Sequence, residues 1–128
     1  MIKDKNYYEK ILPLFGCKFS MSVRNKYFEL IKSGQKDIEL RSFDEKRRQM
    51  KTGDKFLLYD AENTDNYIIC KILNMHVAPD FQTLFKKIDI KRSGFKSIPE
   101  LEDAVFKFIS KEEFAKNSVV GIEIEQVR

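Results

Sequence analysis

A lysine, a glutamate and an arginine stand at fixed spacing in the stretch GQKDIELR, residues 34–41. Lys36 is a mobile positive charge suited to a phosphate or a developing oxyanion, and Arg41 offers a planar fork for bidentate hydrogen bonding. Glu39 can accept hydrogen bonds from the exocyclic amines of a base, or it can simply hold Arg41 in place. These residue types at this spacing predict a ligand-binding cluster.

The surrounding pattern places the cluster on a turn between a helix and a strand. Upstream, apolar residues recur on one helical face: Tyr27, Phe28, Leu30 and Ile31. Gly34 stands where a helix favours a residue that adopts positive φ, so we expect the helix to end there. Downstream, Ile38 and Leu40 alternate with Glu39 and Arg41. On a strand, Glu39 and Arg41 share a face and lie about 7 Å apart along the chain.

Composition narrows the class of protein. The chain has 128 residues, of which 42% are hydrophobic, so it fits one domain whose core needs no disulfide or metal. No run approaches the length of a membrane span, and the first residues lack the apolar stretch of a secretory signal, so we expect a cytoplasmic protein. Cys17 and Cys70 are predicted to be reduced, buried thiols, and His76 is the only histidine. We therefore expect no metal site and no cofactor.

Positive charge is concentrated in two segments, although the net charge is only +4. One segment contains Arg41, Lys46, Arg47, Arg48 and Lys51. The other is a basic loop that we expect to contact a nucleic-acid backbone through Lys86, Lys87, Lys91, Arg92 and Lys96. Clustered cations attract phosphates and release counterions, but a solvated basic loop without a ligand explains the same pattern.

Apolar patterning predicts five strands interrupted by helices. Residues 2–14 are expected to form a helix, within an N-terminal helical extension of residues 1–16 that precedes a domain of residues 17–128. Strands are expected near residues 17–23, 37–41, 56–59, 67–77 and 119–127, with a bend near Asn74 in the fourth. Helical spacing follows Pro79, and a later helix begins near Ser97 with a buried stripe that includes Phe108. The fold class is α+β, a small mixed β-barrel with flanking helices.

Several of these segments together resemble the ASCH domain family. Its hallmark G-x-K-x-x-E-x-R matches Gly34, Lys36, Glu39 and Arg41, and the turn sequence KTGD at residues 51–54 precedes an apolar strand as in that family. The segments SKEE at 110–113 and VVGIEI at 119–124 resemble its closing helix and strand. The resemblance covers about residues 17–126.

The resemblance implies a PUA-like β-barrel that binds RNA or a nucleotide-like ligand. It implies that Lys36, Glu39 and Arg41 line a cleft beside the helix-to-strand turn. Phe43 follows the motif and Phe95 lies in the basic loop, so either ring is a candidate for stacking on a base. A structural Glu39–Arg41 ion pair in a non-catalytic regulatory or interaction module remains the alternative.

A hydrolase is the other alternative that the resemblance raises. One ASCH-like bacterial subgroup hydrolyses N4-acetylcytidine with a threonine where this chain has Glu39, and with a glutamate where this chain has Ser93, Gly94 and Phe95. Only Lys36 matches, so the same nucleophilic scheme is not expected here. A variant scheme on a modified nucleoside or on RNA would use Glu39 as general base and Lys36 to stabilise an oxyanion.

Overall fold

The computed structural model describes residues 2–128. Within them the chain forms six α-helices and five strands in the order α1 (Lys5–Ile11), β1 (Phe19–Val23), α2 (Asn25–Lys32), β2 (Ile38–Ser42), α3 (Glu45–Arg48), β3 (Lys55–Asp60), β4 (Tyr67–Ala78), α4 (Phe81–Leu84), α5 (Ile98–Val105), α6 (Lys111–Asn117) and β5 (Val119–Gln126). Two 3-10 turns complete the described elements, at Leu12–Phe15 and Ile90–Ser93. None of these helices is long and apolar enough to cross a membrane.

The five strands form one curled sheet in the order β1-β3-β4-β5-β2. β1 runs parallel to β3, and the other neighbours are antiparallel. A register shift between Ile72 and Asn74 bends β4, which confirms the predicted bend. The α+β, barrel-like prediction is confirmed, in the form of a half-barrel with flanking helices. No ladder within the described residues joins the edge strands β1 and β2, and the gap between these edges is called the seam below.

Two apolar cores lie on the two faces of the sheet beside the seam. The first fills the concave side and includes Phe28, Ile31, Phe56, Leu58, Cys70, Ile72, Val120 and Ile122. The second packs α4, α5 and α6 against the other face of β2 and β5, through Ile38, Leu84, Ile88, Leu101, Phe114 and Val119. Gly121 permits this second packing, because an added Cβ would lie 3.2 Å from side-chain atoms of both Ile38 and Ile88. β2 is therefore fixed from both sides.

The N-terminal helix packs against β1 and β3. Asp4 caps α1 by accepting a hydrogen bond from the Tyr7 amide. Tyr8 is fully buried and stacks on Tyr59 at 4.6 Å between ring centroids. The helix is shorter than the predicted 2–14 and continues as a 3-10 turn. The boundary between extension and domain at residues 16 and 17 stays a proposal.

Two helical predictions were partly wrong. The segment after Pro79 forms only one α-helical turn, with Asp80 as its N-cap. The predicted stripe of α5 extends too far, because the helix ends at Val105. The amides of Phe108 and Ile109 both donate to the Val105 carbonyl, a tight turn that directs Phe108 outward, where it is 69% exposed.

Other local predictions are confirmed. Ser97 is the N-cap of α5, as predicted. Both cysteines are free and buried, as predicted.

Candidate ligand-binding cleft

The turn between α2 and β2 places Lys36 at the base of the seam. Ser33 ends the helix, and Gly34 adopts a φ of +84°, a value that favours glycine. The Gly34 amide donates to the Ile31 carbonyl and the Lys36 amide donates to the Leu30 carbonyl. These two hydrogen bonds turn the chain directly into β2, as the sequence predicted.

The Lys36 ammonium is enclosed by acceptors. It is 2% exposed and donates to the carbonyls of Ile38 and Ser93, each at 2.7 Å. The Oε1 atom of Glu39 lies 3.2 Å from the same nitrogen. Burial lowers the pKa of Lys36, and the negative charge of Glu39 opposes that shift. The prediction that Lys36 is a mobile charge is therefore wrong. Three acceptors hold its ammonium group in place, so its positive charge is fixed.

The Glu39 carboxylate is clamped between two cations. Its Oε2 atom accepts from Nε of Arg41 at 2.8 Å and lies 2.7 Å from Nη2 of the same guanidinium. Burial alone would raise the pKa of Glu39, but the positive charges of Arg41 and Lys36 outweigh burial and hold that pKa below its usual value. The carboxylate is therefore ionised and occupied on both oxygens, which makes it a weak general base.

Arg41 bridges the seam and keeps one edge free. Its Nη2 donates to the Ser22 carbonyl of β1 at 2.7 Å, so the guanidinium joins the two edge strands. No acceptor within residues 2–128 takes a hydrogen bond from Nη1. The side chain is 21% exposed. Arg41 thus offers an unused pair of donors on a guanidinium whose other side is fixed.

These groups form the floor of a cleft of about 570 Å³ in the seam, a size typical of small-molecule sites. Most of the wall is apolar, through Val23, Tyr27, Leu40, Ala61, Phe95, Ala104, Val105, Phe108 and Ile109. The charged lining residues are four cations and one carboxylate: Arg24, Lys36, Arg41, Lys107 and Glu39. No residue of α1 lines the cleft. The arrangement suits a flat, partly apolar ligand that carries acceptors or negative charge.

Of the two predicted stacking rings, Phe95 borders the cleft as a buried residue of the second core, and Phe43 does not border it. Phe95 packs beside Tyr27 at 5.4 Å between ring centroids. Phe43 packs instead against the first core, with the guanidinium of Arg48 5.0 Å from its ring centroid. Phe43 therefore does not line this cleft. Two strand positions separate Phe43 from Arg41, but β2 ends at Ser42, so the ring leaves the face that bears the cleft.

The five cations of the basic loop do not line the cleft, and one of them is already paired. Arg92 makes a bidentate ion pair with Asp37, at 2.9 and 2.8 Å. Its Nη2 also lies 3.5 Å from Glu123, whose other oxygen lies 3.0 Å from Nε2 of His76. The remaining predicted contacts are solvent-exposed: Lys86, Lys87, Lys91 and Lys96. Arg92 is thus paired within the fold, and the exposed lysines stay candidates for backbone contacts.

Several lining residues were not singled out from the sequence. Ser22 contributes a backbone carbonyl, which no side-chain pattern signals. Tyr27 was assigned to a helical face, yet it is only half-buried and its hydroxyl makes no hydrogen bond to residues 2–128. Burial raises the pKa of Tyr27, so the hydroxyl stays protonated. Arg24 precedes α2 as its N-cap residue, a position that gave no hint of a site.

Comparisons with known proteins agree with this architecture. The ASCH domain model matches residues 21–128, which confirms the resemblance seen in the motif. The crystal structure of hypothetical protein PH0355 is 35% identical and has a TM-score of 0.74, over 85% of this chain and 98% of that one. Protein PF0455 from Pyrococcus furiosus, solved by NMR, is 31% identical with a TM-score of 0.68, over 86% and 97%.

A more distant solved structure shares the fold alone. ASCH from Zymomonas mobilis is 16% identical with a TM-score of 0.56, and the match covers 85% of this chain and 69% of that one. No curated protein matches the chain.

Substituting Gly94 tests whether its close approach holds Lys36 in place. Gly94 has a φ of +86°, and an added Cβ would lie 3.3 Å from Cδ of Lys36 and 3.3 Å from Cδ1 of Leu30. Gly53 is the matched control, with a φ of +94° and open space around it. Both alanine variants should lose about 1–2 kcal/mol of unfolding free energy through the left-handed backbone. G94A should lose about 1–3 kcal/mol more than G53A through overpacking. Urea denaturation measures both losses. Equal losses would mean that the close approach of Gly94 does not hold Lys36 in place.

The ionised state of Glu39 gives a pH dependence of stability. Its pKa is lowered in the folded protein, so its contribution is complete above the unfolded pKa of about 4.3. That contribution is lost as the pH falls through the lower folded pKa, because the unfolded chain takes up the proton first. At pH 7, E39Q should be about 3–5 kcal/mol less stable than the wild type, since it leaves two cations without their partner.

The stability margin between wild type and E39Q should therefore shrink between pH 5 and pH 2 in urea denaturation series (about the range over which a depressed carboxyl titrates). Glu112→Gln, at an exposed position of α6, is the matched control for loss of a surface carboxylate and should cost at most about 1 kcal/mol at pH 7. A margin that stays constant across this range would mean that the Glu39 charge is not the stabilising element.

Proposed function

Because the chain belongs to the ASCH domain family, we propose that it binds single-stranded RNA or a nucleotide-like ligand in the seam cleft. The observation that carries the proposal is the free Nη1 edge of Arg41, fixed on the floor of an apolar cleft. A base would lie between the apolar walls, and the guanidinium would donate to a carbonyl or ring acceptor of the base or to a phosphate oxygen. Family membership supports this ligand class.

Electrostatics favours an anionic ligand. Four cations and one carboxylate line the cleft, and low-dielectric walls strengthen the field of such a cluster. Lys36 and Glu39 largely neutralise one another at the base, whereas Arg24 and Lys107 lie at exposed positions. The charge that faces solvent is therefore positive, as a phosphate-bearing partner requires.

Binding accounts for this arrangement better than hydrolysis does. A hydrolase that used Lys36 and Glu39 would need a free nucleophile or a general base with a pKa near neutrality. Here the ammonium donates to two carbonyls beside the carboxylate, and the carboxylate has a lowered pKa. These residues therefore support a positioning role beneath Arg41. A structural ion pair is satisfied by Nε and Nη2 alone, which leaves Nη1 available to a ligand.

The exposed edge of Arg41 is tested by R41K. A lysine keeps the positive charge beside Glu39 but removes the second pair of donors. In fluorescence anisotropy at low salt, R41K should bind a labelled, mixed-sequence single-stranded RNA at least about ten-fold more weakly than the wild type. Wild-type affinity should fall as salt rises, because phosphate binding releases counterions.

Arg92→Lys is the matched control, since Arg92 lies outside the cleft and is paired with Asp37. It should retain affinity within a factor of about two, well under one bidentate contact. Unfolding curves recorded for both variants separate loss of binding from loss of fold. If the wild type shows no binding at low salt, or if R41K binds as tightly as the wild type, the proposed function is wrong.

A further inference from the structure

The rim of the cleft carries an exposed aromatic ring that the site itself does not require. Phe108 lies between α5 and α6, lines the cleft, and is 69% exposed. Its backbone is held by the hydrogen bond from its amide to the Val105 carbonyl. Leaving a phenyl ring in water forgoes the burial that normally stabilises such a residue. An exposed ring on a fixed turn beside a cleft is therefore a candidate contact surface.

A guanidinium and an ammonium accompany the ring. The Cζ atom of Arg24 lies 5.5 Å from the Phe108 ring centroid, within the range of a cation–π contact. The Arg24 side chain is 62% exposed, and its nearest carboxylate, that of Glu62, lies 4.0 Å away. Lys107 is exposed on the same turn. An aromatic face with two solvent-exposed cations combines the two elements of a platform for unpaired bases and their phosphates.

We propose that Phe108, Arg24 and Lys107 form a second subsite, which holds the nucleotide next to the one in the cleft. This inference rests on the proposed function and specifies it further: the partner is a single strand of at least two nucleotides. The neighbouring base stacks on Phe108, and Arg24 and Lys107 contact the intervening phosphate. Stacking requires an unpaired base, so a duplex does not satisfy this subsite.

The surroundings of the ring favour nucleic acid over a protein surface. The other large exposed hydrophobic residues of the described chain do not line the cleft around Phe108, with Leu14, Tyr67, Leu73, Val77 and Val127 among them. A protein partner would bury a contiguous apolar patch outside the cleft, whereas here one exposed ring lies at the rim of the apolar cleft beside two exposed cations. Positive charge beside one aromatic face matches a phosphate beside one base.

The test compares one nucleotide with a short strand. Wild type and Phe108→Ala are titrated with a uridine mononucleotide, with mixed-sequence tetranucleotides of RNA and of DNA, and with a longer blunt-ended duplex that contains the same sequence, all in competition against labelled RNA. F108A should bind the single-stranded tetranucleotides about ten-fold more weakly and should bind the mononucleotide as the wild type does. If F108A loses affinity for RNA and DNA by a comparable factor, the subsite contacts the base and the phosphate. If it loses affinity for RNA only, the subsite also contacts the ribose 2′-hydroxyl.

Two further variants make the result specific. Phe108→Tyr retains a stacking face and should retain tetranucleotide affinity, whereas Leu14→Ala removes an exposed apolar side chain that does not line the cleft and should change nothing. Phe108 is exposed, so its replacement leaves the core intact. If the tetranucleotides bind F108A and the wild type equally, or if F108A weakens the duplex by the same factor, the second subsite is overturned.

Failure of the proposed function would look different from failure of the subsite. In that case wild-type protein would bind neither mononucleotide nor tetranucleotide, and the subsite would fail together with the cleft. If the wild type binds both ligands, R41K binds neither and F108A binds both normally, then the cleft is the binding site and only the second subsite at Phe108 is wrong.

Discussion

A single buried carboxylate sets the geometry of the cleft. Glu39 is 6% exposed, and an ionised carboxylate at such a position is tolerated only with charged partners and further hydrogen bonds. Lys36 and Arg41 supply the charges, and each is in turn fixed by backbone carbonyls: Ile38 and Ser93 for the ammonium, Ser22 for the guanidinium. Charge balance at one residue thereby ties together β1, β2 and the 3-10 turn that precedes Gly94.

The same constraint explains why the half-barrel leaves an opening. β1 and β2 are both edge strands, and edge strands present backbone groups that need partners. The Ser20 and Ser22 carbonyls of β1 accept from side chains of Lys46 and Arg41, in place of a neighbouring strand. Side chains span a wider gap than a strand ladder does, so the seam stays open beside Arg41. The cleft is therefore a consequence of how this sheet satisfies its edge.

Local signals in the sequence predicted the elements around the site. Period-two alternation indicated β2, and Gly34 indicated the end of α2, because both depend on neighbours within a few residues. The motif also predicted that Glu39 and Arg41 would meet, since they share one strand face. Contacts between distant segments were not predictable in the same way. Ser93 lies 57 positions from Lys36, and no spacing rule indicates that its carbonyl would fix the ammonium.

Pairing decided which charged residues are available, and pairing is a tertiary property. The run of cations near Arg92 was interpreted as a phosphate-binding loop, yet Asp37 engages that arginine from across the fold. Likewise, the helical spacing that included Phe108 took no account of the turn at Val105. Whether Phe108 is buried or exposed depends on where α5 ends, and the end of a helix is the part that a periodic pattern predicts least well.

The most direct measurement is a 1H–15N NMR titration with unlabelled single-stranded RNA that follows both backbone amides and arginine side-chain Nε–H signals. The account predicts that shifts concentrate on the Arg41 Nε–H and on the amides of Ser22, Tyr27 and Phe95, around the seam. Shifts confined to the exposed lysines of residues 86–96, with the Arg41 signal unmoved, would contradict it.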